Sequence, residues 1–207
     1  MTNFLTNARR TLPFAAALLL VTVTGCGVQQ APQSEIDLDA VLEVTNQTLV
    51  DVDQSYSGDP SNPSDTAAMM SELADQLETN YNNSIPALHD DLISVAPRED
   101  ASLIAVADTN GNLEPDADEQ PLWMIEIDGE NARLVATDRE GAVQQSGFSG
   151  TGLLAGMLIG SMLSRQRAAG VNTSALASKQ PVSATQARQA RQAARSRAGS
   201  GSFARGK

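Results

Sequence analysis

The sequence predicts an α+β fold: a small antiparallel three-stranded sheet packed with two N-terminal helices, then a glycine-rich apolar helix and a disordered basic tail. Three observations carry this. Apolar residues recur at helical spacing over 38–82 and at alternate positions over 101–137. Aromatic residues are 3% of the chain, so the core is small and aliphatic. The charge is divided: between Glu35 and Glu140 stand 25 acidic and 3 basic residues, net −22, while from Gly141 to Lys207 there are 9 basic and no acidic residues. An acidic body with a basic tail thus lies behind the overall −11.

The chain opens on an export signal. Arg9 and Arg10 form a short basic region, Leu12 to Val23 is apolar and uncharged, and small residues follow as far as Gly25-Cys26. The run is shorter than the roughly 20 apolar residues of a spanning helix. Val23-Thr24-Gly25-Cys26 resembles a lipobox, the motif at which bacterial lipoproteins are acylated on cysteine and cut before it. The resemblance implies that residues 1–25 are removed and that Cys26, the only cysteine, carries a covalent lipid with palmitate-type chains. The alternative is an uncleaved signal anchor with a free thiol, although a lone exported cysteine has no disulfide partner. Each buried methylene contributes about 0.8 kcal/mol, and two or more chains hold stably. Gly27 stands where lipoproteins retained on the inner membrane often carry Asp. The resemblance therefore implies an outer-membrane lipoprotein facing the periplasm, if the source has two membranes.

Residues 26–34 read as a polar tether, and 35–146 as the acidic domain. Ser34 with Asp37 matches a capping box. Leu38, Val41, Leu42, Thr45, Leu49, Val52 and Tyr56 then share one helical face. Residues 57–65 are a loop on composition. The stripe Met70, Leu73, Ala74, Leu77 and Tyr81 predicts a second helix over 66–82, which Pro86 limits. Leu88 to Val95 reads as a short third helix. Alternation then predicts strands over 101–107, 122–128 and 132–137, with a hairpin turn beginning at Asp128-Gly129.

The loop from Asp108 to Glu119 is the most chemically informative stretch. Asp108, Asn110, Asn112, Asp116 and Glu119 place side-chain oxygens at positions 1, 3, 5, 9 and 12. Glu114 at position 7 supplies a backbone carbonyl. Calcium takes six to eight oxygen ligands, with a bidentate carboxylate closing a 12-residue loop. The stretch resembles EF-hand loops and, in its Asp-Thr-Asn-Gly-Asn and Pro-Asp-Ala-Asp wording, thrombospondin type 3 repeats. The resemblance implies Ca²⁺ as a cofactor. It departs at position 6, where Leu113 replaces the usual glycine and meets a steric penalty at positive φ. The alternative is a plain acidic hairpin loop turning at Asn110-Gly111.

Gly152, Gly156 and Gly160 stand four apart within an apolar segment, 147–169, that resembles the glycine zippers of some envelope proteins. Thirteen residues rise about 20 Å as a helix, short of the roughly 30 Å hydrocarbon core. Three roles stay open: insertion into one leaflet, pairing with another copy or an envelope partner through 148–167, or packing on the sheet. Arg165 and Arg167 suit lipid headgroups. Residues 170–207 have almost no large apolar side chains and read as a disordered tail. Arg188, Arg191 and Arg195 share a face there, suited to anionic lipid, an anionic polymer or the protein's own acidic body. Export and the absence of interleaved aromatics argue against nucleic acid as a partner.

Catalytic signals are sparse. His89 is the only histidine, the cysteine is expected to be acylated, and no nucleophile elbow, phosphate loop or dinucleotide fingerprint occurs. The sequence thus points to a non-enzymatic envelope lipoprotein with a structural or adaptor role. A calcium-dependent binding module is the alternative, and an envelope enzyme using paired carboxylates the third reading.

Overall fold

The computed structural model describes residues 35–55, 62–147 and 156–200, which belong to one compact unit, Ser34–Lys207. Helix α1 (Leu38–Ser55) is capped by Asp37, whose carboxylate accepts the backbone N–H groups of Asp39 and Ala40, each at 3.1 Å. That makes Asp37 the cap itself; Ser34 and Tyr56 lie outside the described residues. The expected stripe from Leu38 to Val52 is buried. Its polar members are satisfied locally: the Thr45 and Thr48 hydroxyls donate back to the carbonyls of Val41 and Val44.

Helix α2 (Pro63–Asn82) begins at an Asn62 cap that accepts the Ser64 N–H. Met70, Leu73, Ala74, Leu77 and Tyr81 are buried as the spacing predicts. The Tyr81 ring meets Trp123 edge-on, with centroids 5.2 Å apart at 85°. Its hydroxyl lies 2.7 Å from Thr45 Oγ1. These contacts tie both helices to the sheet.

The sheet has five strands, not three. β1 (Leu92–Pro97), β2 (Leu103–Asp108), β3 (Gln120–Asp128), β4 (Arg133–Asp138) and β5 (Val143–Gly147) form an antiparallel meander in sequence order. Of the segment expected as a third helix, 88–95, the second half enters β1 and the first half forms no helix. Its apolar run is too short for periodicity to separate helix from strand. The deciding contacts come from α2. The Asn82 side chain donates to the Ile93 carbonyl and accepts the Ile93 N–H, both at 2.8 Å, and Glu78 accepts the Val95 N–H at 3.3 Å. One side-chain amide thus satisfies the open edge of β1 as a neighbouring strand would.

β5 carries little apolar alternation, and its residues are only half-buried. It is held through its polar side chains: Asn46 of α1 donates to Ser146 at 2.8 Å, and Gln144 to Asp39 at 3.2 Å. Across the sheet, Ile93, Ala107, Leu103, Ile125, Ala136 and Leu134 belong to the buried core under the helices. The expected turn after Asp128 is present. Asp128 accepts the N–H groups of Glu130 and Asn131, and Ala132 takes a left-handed φ of +52°.

The C-terminal third is also corrected. Helix α3 (Met157–Ala168) buries Leu158, Ile159 and Met162 in the same core. At about 1.5–3 kcal/mol per buried aliphatic side chain, it is an integral element. The segment expected to be a disordered tail forms α4 (Thr173–Ala177) and α5 (Ala184–Ser200). Ser183 and Gln186 close a reciprocal capping box at the start of α5, at 3.1 and 3.3 Å. Between the two helices Val182 bridges to Val143, with N···O distances of 2.8 and 2.9 Å, and covers part of the β5 edge.

Arg133 organises that docking. Its Nε donates to Asp128 at 2.6 Å, Nη1 to the Gln145 side chain, and Nη2 to the carbonyls of Leu176, Ala177 and Lys179 at 3.5, 2.9 and 3.1 Å. A guanidinium thus caps the C-terminal end of α4. Lys179 pairs with Glu126, Arg188 with Glu35 at 3.3 Å, and Arg191 with Glu140 at 3.0 Å. Composition alone reads this segment as unable to fold. The acidic body supplies partners that a count of its own apolar residues leaves out.

Candidate calcium loop between the second and third strands

Residues 108–119 connect β2 to β3, and two carboxylates pin the ends of the connection. Asp108 closes β2 and is buried; Oδ1 accepts the N–H groups of Asn110 and Gly111 at 3.2 and 2.6 Å, and Oδ2 accepts that of Leu113 at 2.9 Å. Glu119, also buried, accepts the N–H groups of Thr109 and Asp116, both at 3.0 Å. Five backbone amides therefore converge on the two residues expected at positions 1 and 12. Burial pushes the Asp108 carboxyl up, but the N–H groups of Leu113, Gly111 and Asn110 outweigh it and hold the group below the usual carboxylate range.

The interior of the loop winds in short steps. Asn110 accepts the Asn112 N–H at 2.9 Å, and Asn112 accepts the Glu114 N–H at 2.8 Å. The side-chain amides of both asparagines donate to Asp116, at 2.7 and 3.1 Å. Leu113 takes φ +57°, the conformation that position 6 demands, and Gly111 takes φ +77°. Leucine adopts the left-handed turn despite its Cβ, because the Leu113 N–H has a buried carboxylate to reach. Its side chain is left 44% exposed.

The all-oxygen donor set suits a hard cation. Its arrangement is less complete. Among the described residues, no group of three or more Asp, Glu, His or Cys side chains is gathered closely enough to hold an ion. Asp108, Asp116 and Glu119 share one loop, but their oxygens face the loop's own amides, and Glu114 is exposed with its carboxylate unengaged.

The other expected site residues fall as follows. Cys26 and Gly152 lie outside the described residues. Gly156 caps α3, and a Cβ there would stand 2.9 Å from the Asp53 carboxylate, which accepts the Leu158 N–H at 3.0 Å. Gly160 is exposed, and a Cβ there would meet nothing within 4 Å. Gly156 is thus packed within the domain, whereas Gly160 faces open space. Arg165 is half-buried and Arg167 exposed. No helix among the described residues is long and apolar enough to cross a membrane. His89 Nδ1 accepts the Asp91 N–H at 3.1 Å.

Two features went unread in the sequence. The Arg133 clasp needs three segments that are remote in the chain, so no local signal marks it. A groove of about 870 Å³ runs along α1, lined also by the end of α2, the Ser84–Leu88 loop and β5. A second, weaker apolar stripe on α1, at Ala40, Val44 and Val50, was its only trace in the sequence.

Comparison with family models, curated proteins and solved structures gave no match for this chain.

Proposed function

We propose that this chain is an exported cell-envelope lipoprotein, anchored by a lipid on Cys26, whose acidic α+β domain has a structural or adaptor role and performs no catalysis. The observation that carries the reading is Val23-Thr24-Gly25-Cys26 placed directly after a basic and then apolar N-terminus, with no other cysteine in the chain. Gly27 directs the lipoprotein to the outer membrane, facing the periplasm. The strongly acidic surface is the interaction face, and the exposed side of α3 with Gly160 and Arg167 is a contact for membrane or for another envelope protein.

Labelled palmitate fed to expressing cells tests the anchor. Label should enter the wild-type chain and be lost in Cys26→Ala, which should stay unprocessed. A processed, unlabelled, freely soluble wild-type protein would overturn the anchor. Crosslinking in intact cells tests the adaptor role separately: a defined higher-mass species is expected, and monomer alone under saturating crosslinker counts against it.

A second reading, a calcium-dependent module, is favoured by one specific observation: Leu113 occupies the left-handed conformation at position 6. Asp108, Asn110, Asn112, Asp116 and Glu119 would hold the ion, with the Glu114 carbonyl. Calorimetric titration of the mature chain with Ca²⁺ tests it; Leu113→Gly, which removes about 1–2 kcal/mol of left-handed strain already present in the ion-free loop, should raise stability and leave the affinity nearly unchanged. No heat and no rise in melting temperature at millimolar Ca²⁺, for both chains, removes this reading.

A further inference from the structure

The groove along α1 combines three features that the fold itself does not require. Its lining is mixed: Val44 and Val50, half-buried at the margin of the core, alternate with Asn46, Gln47 and Asn80, while the opposite stripe of α1 fills the core. Ile85 belongs to its lining and is 97% exposed, so this aliphatic side chain contributes almost nothing to the domain's own burial. Its charge is of one sign: Asp39, Glu43 and Asp51 line it, and no Lys or Arg does. Asp39 and Asp51 receive only neutral amide donors, from Gln144 and Gln47. An exposed apolar side chain beside half-buried valines and carboxylates with no cationic partner describes half of an interface.

We propose that this groove docks a cationic amphipathic helix from a partner protein, with Ile85 as the apolar anchor and Asp39, Glu43 and Asp51 pairing with its basic side chains. The inference deepens the adaptor reading and rests on it, since an adaptor needs a recognition surface. From Asp39 to Asp51 the helix rises about 18 Å, which matches three turns of a partner helix laid alongside. Charge complementarity selects a basic occupant. Exposed Ile85, with half-buried Val44 and Val50, gives an occupant carrying aliphatic residues on one face something to bury against. The protein's own basic helix does not offer such a face: α5 consists of Ala, Thr, Gln, Arg, Ser and Gly, with nothing to bury against Ile85. The α5 helix of this chain or of a second copy is therefore a poor occupant.

The test uses the full mature chain with Cys26→Ser, free of lipid, so that its outcome is independent of anchoring. The probe is a 14-residue amphipathic leucine/lysine helix, and the control is the same composition scrambled to remove its apolar face. Fluorescence anisotropy should show at least tenfold tighter binding of the amphipathic peptide. Ile85→Asp and Glu43→Lys, both at exposed positions, should each weaken it about tenfold, with unchanged circular dichroism. Glu99→Lys, exposed in the turn after β1, should not weaken it. Equal binding of both peptides, equal loss in Glu99→Lys, or no loss in Ile85→Asp would each overturn the proposal. Such a failure would leave crosslinking in cells to judge the adaptor reading by itself.

Discussion

Replacing Arg133 with alanine should release the C-terminal segment while the rest of the domain stays folded. The Arg133 side chain is 14% exposed and the Asp128 side chain 1%. Removing one partner of a buried pair costs about 3–5 kcal/mol, because the other charge is left uncompensated. Asp128 keeps three donors, the N–H groups of Glu130 and Asn131 and the Asn131 side-chain amide. That places the cost near the lower end, about 3 kcal/mol. The carbonyls of Leu176, Ala177 and Lys179 would lose their donor as well, but water can replace it if the segment lifts away. The cheapest response is therefore local opening of 173–200. A change of about 3 kcal/mol is roughly a hundredfold in the open population. Tryptic cleavage after Lys179 reads that population when closing is fast relative to cutting. Arg133→Ala should be cut at this bond about a hundred times faster than the wild type, with the Trp123 fluorescence of the core retained. Arg133→Lys should fall between them, keeping the charge and losing the fork. Cleavage of Arg133→Ala within threefold of the wild-type rate would refute the clasp.

Three further predictions follow from the same geometry. Gly156→Ala should displace the Asp53 cap of α3 and lower stability by about 1 kcal/mol, whereas Gly160→Ala, at an open helical position, should raise it by about 0.5–1 kcal/mol; equal losses in urea midpoint would restore a packed glycine stripe. Burial pushes the Tyr81 hydroxyl up from 10.0 to about 12, so the unfolded chain ionises first; stability is intact below pH 10 and should fall progressively towards pH 12, as alkaline denaturation followed by tyrosinate absorbance would show. The Asp128 carboxyl is pushed up by burial, but donors from Asn131 and Arg133 prevail and hold it below its ordinary 3.8; its contribution is present above that value and lost as pH falls through the folded value, so residues 173–200 should open in acid before global unfolding, as amide hydrogen exchange after an acid jump would report.

The sequence by itself determined the acidic body, both N-terminal helices with their buried stripes, three of the strands, and the turn at Asp128. These are local properties. A helical stripe such as Met70, Leu73 and Leu77, or an alternation such as Trp123, Ile125 and Ile127, is written in neighbouring residues, because each element presents one face to the core. The spacing of the 108–119 loop was read as a calcium ligand set or a plain acidic turn; that Asp108 and Glu119 pin its ends through backbone amides, and that Leu113 enters the left-handed turn to reach a buried carboxylate, came from the structure.

The tertiary structure decided what depends on remote partners. β1 is a strand because Asn82 and Glu78 satisfy its edge. β5 is a strand because Asn46, Asp39 and Arg133 engage its polar side chains. Residues 173–200 dock through the Arg133 bonds to the Leu176, Ala177 and Lys179 carbonyls, the Lys179–Glu126 pair and the burial of Leu176, Ala184 and Ala187, all of which need remote partners. The same dependence separates Gly156 from Gly160, two glycines four residues apart in one motif: one faces the Asp53 carboxylate and the other faces solvent, a difference set by which element packs alongside rather than by their spacing.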